Sequence, residues 1–265
     1  MDNKVTPARL LAMKRAGQRS TLVTVFDHHF AGILDRCGVD QLLVGDSVAR
    51  LVLGRQLESS ASVDEMILFA RAVASAARRA MVVVDVPQQV LACGRRDTIE
   101  QVRRLVREGG ADAVKVDGGG GMTATIAALV AAGIPVMASV GQLDEGAKRT
   151  GEPRGLTPED RSQLLTEALA AREAGAFMVG LVLVAADAAR EITRILDIPT
   201  NGIGSGPFCD GQSTLLHALL GLMPGPCPPF LKCHTDVTEI AAAAVGGFIE
   251  ETRDGRFPGP ECTPG

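Results

Sequence analysis

The sequence contains no tryptophan and no tyrosine, and aromatic residues, all phenylalanine, make up 3% of its 265 positions. Stacking platforms for nucleic-acid bases are therefore missing. Lys and Arg number 27 against 31 Asp and Glu, a net charge of −4 with both signs scattered along the chain. No basic stripe draws it to nucleic acid or to an anionic membrane. Six cysteines are present (Cys37, Cys93, Cys209, Cys227, Cys233, Cys262), but no C-x-x-C pair. Cys233 stands beside His234, yet a second close pair at zinc-ligand spacing is absent. The plain reading is a set of thiols in a reducing compartment. The N-terminus has no signal-peptide core, which makes the cytoplasm the expected location. The longest apolar run, Ala174–Ala186, is too short to span a bilayer and reads as a buried strand.

Apolar residues make up 46% of the chain, enough for one large α/β domain spanning residues 1–265. The organising stretch is Gln41–Ser47, QLLVGDS, an apolar run that rises into a glycine, an acid and a hydroxyl. The pattern recurs in Met81–Pro87, which contains Asp85, and in Ala113–Gly118, which contains Asp117. Further strands are expected at Thr21–Asp27, Ile134–Gly141, Phe177–Val184 and Pro199–Gly206, with an eighth near Leu219–Met223. The strands are apolar throughout rather than alternating, as in parallel strands covered on both faces. Between them lie helices with legible starts. Ser62 with Glu65, Asp97 with Glu100, and Asp236 with Glu239 fit an N-cap acceptor followed by an N3 carboxylate. Thr157-Pro158 adds a cap with proline at the first helical position. Gly109, Gly133 and Gly175 mark helix ends. Thr6–Ala16 reads as an N-terminal helix, Phe30–Cys37 as a short one, and Val48–Ala61 as a loop. About eight β-α units in this length point to a (β/α)₈ TIM barrel with an N-terminal helix. A doubly wound open sheet is the alternative; no G-x-G-x-x-G follows the first strand to support it.

In such a barrel the C-terminal strand ends form the active face. They gather Asp27, Asp46, Ser47, Asp85, Lys115, Asp117 and Ser139. Asp46 and Asp85 are the first candidates to hold a hard dication such as Mg²⁺, with Asp117 as a third. Lys115 and Asp117, two residues apart, share one face of a strand. They form either a structural ion pair or a catalytic pair in which Lys115 holds a substrate carboxylate or steadies an enolate. The run Gly118–Gly121 reads either as an anion cradle of backbone N–H groups or as a tight turn. His28, His29 and His217 stand alone. The polar stretch Gln142–Leu156 follows a strand end and reads as a lid over the barrel mouth or as an ordinary surface loop.

Thr24–Asp27 (TVFD), Leu42–Ser47 (LLVGDS), Val84–Pro87 (VDVP), Val114–Gly119 (VKVDGG), Ala170–Ala176 and Ile203–Gly206 together resemble the ketopantoate hydroxymethyltransferase family. That family lies within the phosphoenolpyruvate/pyruvate barrel superfamily. The resemblance implies transfer of a hydroxymethyl unit from 5,10-methylenetetrahydrofolate to a small-molecule 2-oxo acid. It implies Mg²⁺ on the acids matching Asp46 and Asp85, with Ser47, Asp85, Lys115 and Ser139 at the substrate, Lys115 and Asp117 in catalysis, and a homo-oligomer, a decamer in the family. It also exposes departures. The family's catalytic glutamate of the sixth strand is matched by Val182, a family histidine at the end of the fifth by Ser139, and a glutamate by Asp117. A base would then be recruited elsewhere, from Lys115, Asp27, a metal-bound hydroxide or Glu145. Otherwise the enolate arises by decarboxylation or retro-aldol cleavage, or by the lyase or isomerase chemistry of the superfamily. A catalytically silent binding or assembly protein is the remaining expectation.

Overall fold

The computed structural model describes residues 4–144 and 151–263. Eight parallel strands close into a barrel in sequence order, β1 to β8. They are β1 (Ser20–Thr24), β2 (Gln41–Val44), β3 (Met81–Asp85), β4 (Ala113–Asp117), β5 (Val136–Gly141), β6 (Met178–Val182), β7 (Thr200–Ile203) and β8 (Gly211–Leu215). The open-sheet alternative is thereby excluded.

Seven strands fall within the stretches expected or one residue outside them, each shorter than its apolar run. The eighth does not. Leu219–Met223 follows the short helix Leu216–Leu219, and the closing strand is Gly211–Leu215, GQSTL. Its inward positions carry glycine, serine and leucine, so no continuous apolar run announces it. Two further corrections concern helices. The stretch Val48–Ala61 contains a helical turn at Val48–Leu51 and a 3₁₀ turn at Glu58–Ser60. The helix expected to start at Asp97 starts at Arg95 behind Gly94, so Asp97 lies in its first turn.

The other helix signals act as their chemistry dictates. α1 (Pro7–Arg15) starts behind Thr6, whose side chain accepts from the Arg9 N–H. α2 (His28–Cys37) is capped by Asp27, which accepts from the Phe30 N–H at 2.8 Å. α3 is the turn Val48–Leu51, and α4 (Val63–Ala74) begins with a complete Ser62–Glu65 capping box. α5 (Gln88–Leu91), α6 (Arg95–Arg107) and α7 (Thr123–Ala131) follow. α8 (Pro158–Glu173) starts behind Thr157, α9 spans Ala186–Ile195, and α10 is Leu216–Leu219. α11 (Val237–Arg253) is capped by Asp236. Gly133 and Gly175 take the left-handed conformation that ends a helix, but after α6 Gly110 rather than Gly109 adopts it.

Two apolar regions hold the barrel. A large core lies between strands and helices, with Leu42, Met66, Val84, Leu105, Leu129 and Leu164 fully buried. A smaller cluster fills the lower interior, where Leu22, Leu43, Met81, Val83 and Met178 meet Val5 and Leu10 from the N-terminal segment. That plug closes the N-terminal end and leaves the C-terminal end as the open face. Carboxylates lace the closed end. Asp40, just before β2, accepts from the Thr21 N–H of β1 at 3.0 Å. Asp112, just before β4, accepts from the Val82 N–H of β3 at 2.8 Å. Asp210, just before β8, accepts from the Thr200 N–H of β7 at 2.8 Å. Each also meets a cation, Arg79, Lys4 and Lys14 respectively, at 2.7 to 2.9 Å. α11 is different: it has no buried residue and exposes Ile240, Val245 and Phe248. No helix among the described residues is long and apolar enough to cross a membrane.

Candidate active site

β2, β3 and β4 each end in a short polar segment at the open face, and register brings these segments together. Asp85 pairs with Lys115 across β3 and β4, and Asp117 with Ser139 across β4 and β5. The Lys115 ammonium lies 2.8 Å from Asp85 Oδ1 and 2.7 Å from Asp117 Oδ1. Only 12% of the lysine side chain and 7% of that of Asp85 is exposed. The Asp46 N–H donates to the second Asp85 oxygen, Oδ2, at 3.0 Å. Gly45 makes this approach possible, because a Cβ there would come within 3.3 Å of Asp85 Oδ2 and 3.2 Å of Ser47 Oγ. Asp46, Ser47, Asp85, Lys115, Asp117 and Ser139 thus border one cavity. The structural and catalytic readings of Lys115 are compatible, since the ion pair sits in the cavity wall.

Electrostatics follow from burial. Burial alone would pull the Lys115 ammonium down, but Asp117, Asp85 and Asp46 outweigh it and hold the lysine charged, above its ordinary range. Burial pushes the Asp85 carboxyl above the usual carboxylate range; the Lys115 charge opposes this and Asp117 adds to it. Three carboxylates face one ammonium, so the cluster is short of positive charge. Among the described residues no group of three His, Cys, Asp or Glu side chains is placed to hold a metal ion on its own. The three-acid set expected from the sequence is therefore not assembled as such, and Asp117 is engaged by Lys115. A hard dication needs only one or two protein carboxylates, with water and substrate completing its shell. Asp46 and Asp85, in a cluster lacking cationic charge, fit that requirement.

The other expectations separate cleanly. Asp27 caps α2 and stands apart from the cluster. His28 bonds to Ser75 Oγ at 2.7 Å, His29 is exposed, and His217 packs beside Phe26 on a separate pocket. The glycine run forms a 3₁₀ turn, Gly119–Met122, and a Cβ at Gly119 would lie 3.0 Å from the Glu167 carboxylate. An acid at that spot favours the tight turn over the anion cradle. Residues 145–150 of the Gln142–Leu156 stretch, Glu145 among them, lie outside the described residues. Cys233 and His234 are exposed, and all six cysteines are free.

Val182 ends β6 on the cavity wall, between Gly141 and Ile203 in register. The next residue, Leu183, is buried at φ 47°, the one non-glycine with positive φ among the described residues. Its side chain also lines the cavity, where it packs over Gly204. This wall is aliphatic where a proton-transfer group could stand. Sequence reasoning missed Asn201 and Ser213, which line the same cavity from β7 and β8. The available signal was a polar residue at an inward position of an otherwise buried strand.

A closed parallel barrel with acids and a lysine at its C-terminal mouth belongs to the (β/α)₈ class of folds. Phosphonopyruvate hydrolase, solved in complex with oxalate and Mg²⁺, superposes with a TM-score of 0.62 at 15% identity, covering 100% of this chain and 92% of its own. 2,3-Dimethylmalate lyase gives 0.62 at 15% identity, covering 97% of this chain and 87% of its own. Sequence narrows the class further. Residues 4–260 match the ketopantoate hydroxymethyltransferase family. A 3-methyl-2-oxobutanoate hydroxymethyltransferase of Hyperthermus butylicus is 43% identical over 258 residues, 97% of this chain and 89% of that protein. The chain belongs to the ketopantoate hydroxymethyltransferase family, and it is an enzyme of the aldol type.

Proposed function

We propose that this protein makes or breaks a carbon–carbon bond beside the keto group of a 2-oxo acid, with Mg²⁺ or a similar dication. Hydroxymethyl transfer from 5,10-methylenetetrahydrofolate is the default reaction. The observation that carries the reading is Lys115 held charged between Asp85 and Asp117, with Asp46 alongside, in the wall of one cavity. Asp46 and Asp85 would hold the dication. When bound, it supplies Lewis acidity to the keto and carboxylate oxygens of the substrate. Lys115 holds its proton and offers positive charge to the oxygen that becomes an enolate. Asp117 keeps the lysine in place. Ser47, 8% exposed beside Asp46, seats the substrate. The N–H of Asp46 holds the Asp85 carboxylate in the cavity wall.

Val182 supports a second reading of the same site. A valine takes no proton, and a positioned base is worth about 10²–10⁴-fold. Decarboxylation or retro-aldol cleavage avoids the need, because the electron pair of the breaking C–C bond becomes that of the enolate. A homo-oligomer, implied by the family, belongs to the same proposal; the uncovered apolar face of α11 supports it, and sedimentation tests it.

Calorimetric titration with Mg²⁺ tests the site. Asp85→Ala is expected to abolish binding while circular dichroism stays that of the folded barrel, and unchanged affinity would refute the site. Proton exchange of 3-methyl-2-oxobutanoate in D₂O separates the two reactions. Exchange supports the base-dependent route; its absence, with CO₂ released from a β-carboxylated analogue, supports cleavage. Metal binding with neither activity would refute both reactions.

A further inference from the structure

The loop between α10 and α11 carries two cysteines that the chemistry of the barrel mouth leaves unused. Met223, Pro228, Phe230 and Leu231 of this loop line the cavity. At its centre is a tight turn, in which the Leu231 N–H donates to the Pro228 carbonyl at 3.0 Å. Phe230 packs over Gly204, where a Cβ would come within 3.0 Å of the ring. Cys227 and Cys233 stand on either side of the turn, with five residues between them. The Cys227 thiol reaches across it toward the Leu231 carbonyl at 3.9 Å. Cys233 donates to the Thr235 carbonyl at 3.0 Å, and its sulfur would lie 3.3 Å from a Cβ at Gly221. The far stem is tied back to α10, since the His234 N–H donates to the Leu219 carbonyl at 2.9 Å. Both thiols are exposed and free. They are also near enough to act on each other: desolvation, and after it charge on Cys233, pushes the Cys227 thiol up.

A disulfide needs its two Cα atoms about 4.4–6.8 Å apart, and a chain that doubles back through a hydrogen-bonded turn brings its stems to that range. We propose that Cys227 and Cys233 form a reversible disulfide site, and that the bridge clamps the turn carrying Phe230 and Leu231 at the mouth of the barrel. The oxidant is a low-molecular-weight disulfide. One protein thiolate attacks it and releases one small thiol, leaving a mixed disulfide. The second protein thiolate attacks the protein sulfur of that bond and releases the other small thiol. Two protein S–H bonds are lost and one S–S bond forms, while the S–S bond of the oxidant breaks and its two sulfurs leave with the two protons. The bridged sulfurs no longer donate to the Leu231 and Thr235 carbonyls, and the turn becomes the head of a closed ring. The bridge itself requires neither a dication nor a 2-oxo acid.

The test treats the full chain with oxidised glutathione, blocks the remaining thiols and digests with trypsin. A thiol on so short a tether has an effective concentration of about 1 mM or more at its partner, so with reduced glutathione held at about 0.1 mM the bridge is expected to outweigh the mixed adduct at least about 10-fold. Cleavage after Lys232 separates the two cysteines, and the bridge is read as peptides 195–232 and 233–253 joined until reduced. Cys227→Ser is expected to lose the joined peptides and to carry the glutathione adduct on Cys233 instead. Peptide 195–232 also holds Cys209, which is 2% exposed, and Cys209→Ser is expected to keep the bridge. Hydrogen exchange of amides 222–236 reads the clamp, because closing a ring of this size removes enough chain entropy to slow local opening about 10-fold or more. Stable mixed adducts on both cysteines of the native protein would overturn the site, as would joined peptides that survive Cys227→Ser or a bridge found only between two chains on non-reducing electrophoresis. Exchange that is the same in the oxidised and reduced protein would overturn the clamp.

Discussion

Replacing Lys115 by methionine keeps the length of the side chain and removes the one charge shared by Asp85 and Asp117. Because a single ammonium touches both carboxylates, at 2.8 and 2.7 Å, the two bonded oxygens lie no more than about 5.5 Å apart. At an effective dielectric of about 20, their bare repulsion is about 3 kcal/mol. Breaking a buried pair by deleting one partner costs about 3–5 kcal/mol in all, so Lys115→Met is expected to lose that much at pH 7. For a chain of this size each kcal/mol is worth about 2–4 °C, which places the fall in melting temperature at roughly 6–20 °C. The barrel can relieve the repulsion by taking up a proton. A carboxyl whose folded-state pKa rises above its unfolded value of about 3.9 stabilises the fold where it is protonated and loses that contribution as pH rises. The deficit of the variant should therefore shrink from pH 8 to pH 5. Thermal and urea unfolding in the presence of a chelator, followed by circular dichroism, measures both effects. The added change Asp117→Asn should restore part of the stability. A variant melting within about 2 °C of the native protein at pH 7, or with a deficit indifferent to pH, would refute the reasoning.

Glu65→Gln keeps an N3 acceptor but removes the charge facing Arg55, and should cost no more than about 1 kcal/mol, read by urea unfolding. Its carboxyl is held down to about 2, first by Arg55 and then by Ser62, so the native advantage is complete above about pH 4.3 and disappears as pH falls through about 2. Asp210→Ala removes the acceptor of the Thr200 N–H and the partner of Lys14 and is expected to cost about 2–4 kcal/mol. Mg²⁺ titration of the same variant should match the native protein, because the lesion lies at the closed end. Val182→Glu places a carboxylate at the lip of β6. Exchange of the α-proton of 3-methyl-2-oxobutanoate in D₂O should rise at least about 10-fold; no rise would mean that the wall has changed in more than its base.

The charged half of the site was legible because its signal is local. An apolar run that stops at an acid shows in a single segment, and Asp46, Asp85 and Asp117 each stand at such a stop. Lys115 with Asp117 follows from the two-residue period of a strand. The bond from Lys115 to Asp85 does not, because it depends on the register between β3 and β4. The neutral half was hidden. Asn201 lies in TNGIGSG and Ser213 in GQSTL, where glycine and serine look like turn residues, and their inward direction exists only once β7 and β8 are paired. The same blindness displaced the eighth strand to the apolar stretch beyond it. Asp40, Asp112 and Asp210 were overlooked for another reason. An acid directly before a strand looks like any loop residue until a neighbouring strand offers it an N–H.

Those three aspartates separate two duties. They fasten neighbouring strands at the end of the barrel remote from the cavity, so closure of the ring owes little to what the opposite rim contains. A barrel fastened in this way can change residues at its mouth, Val182 and Ser139 among them, without the cylinder coming apart. Chemistry in such a protein can drift while its architecture stands still, and the uncharged wall from β5 to β8 is where that drift would be written.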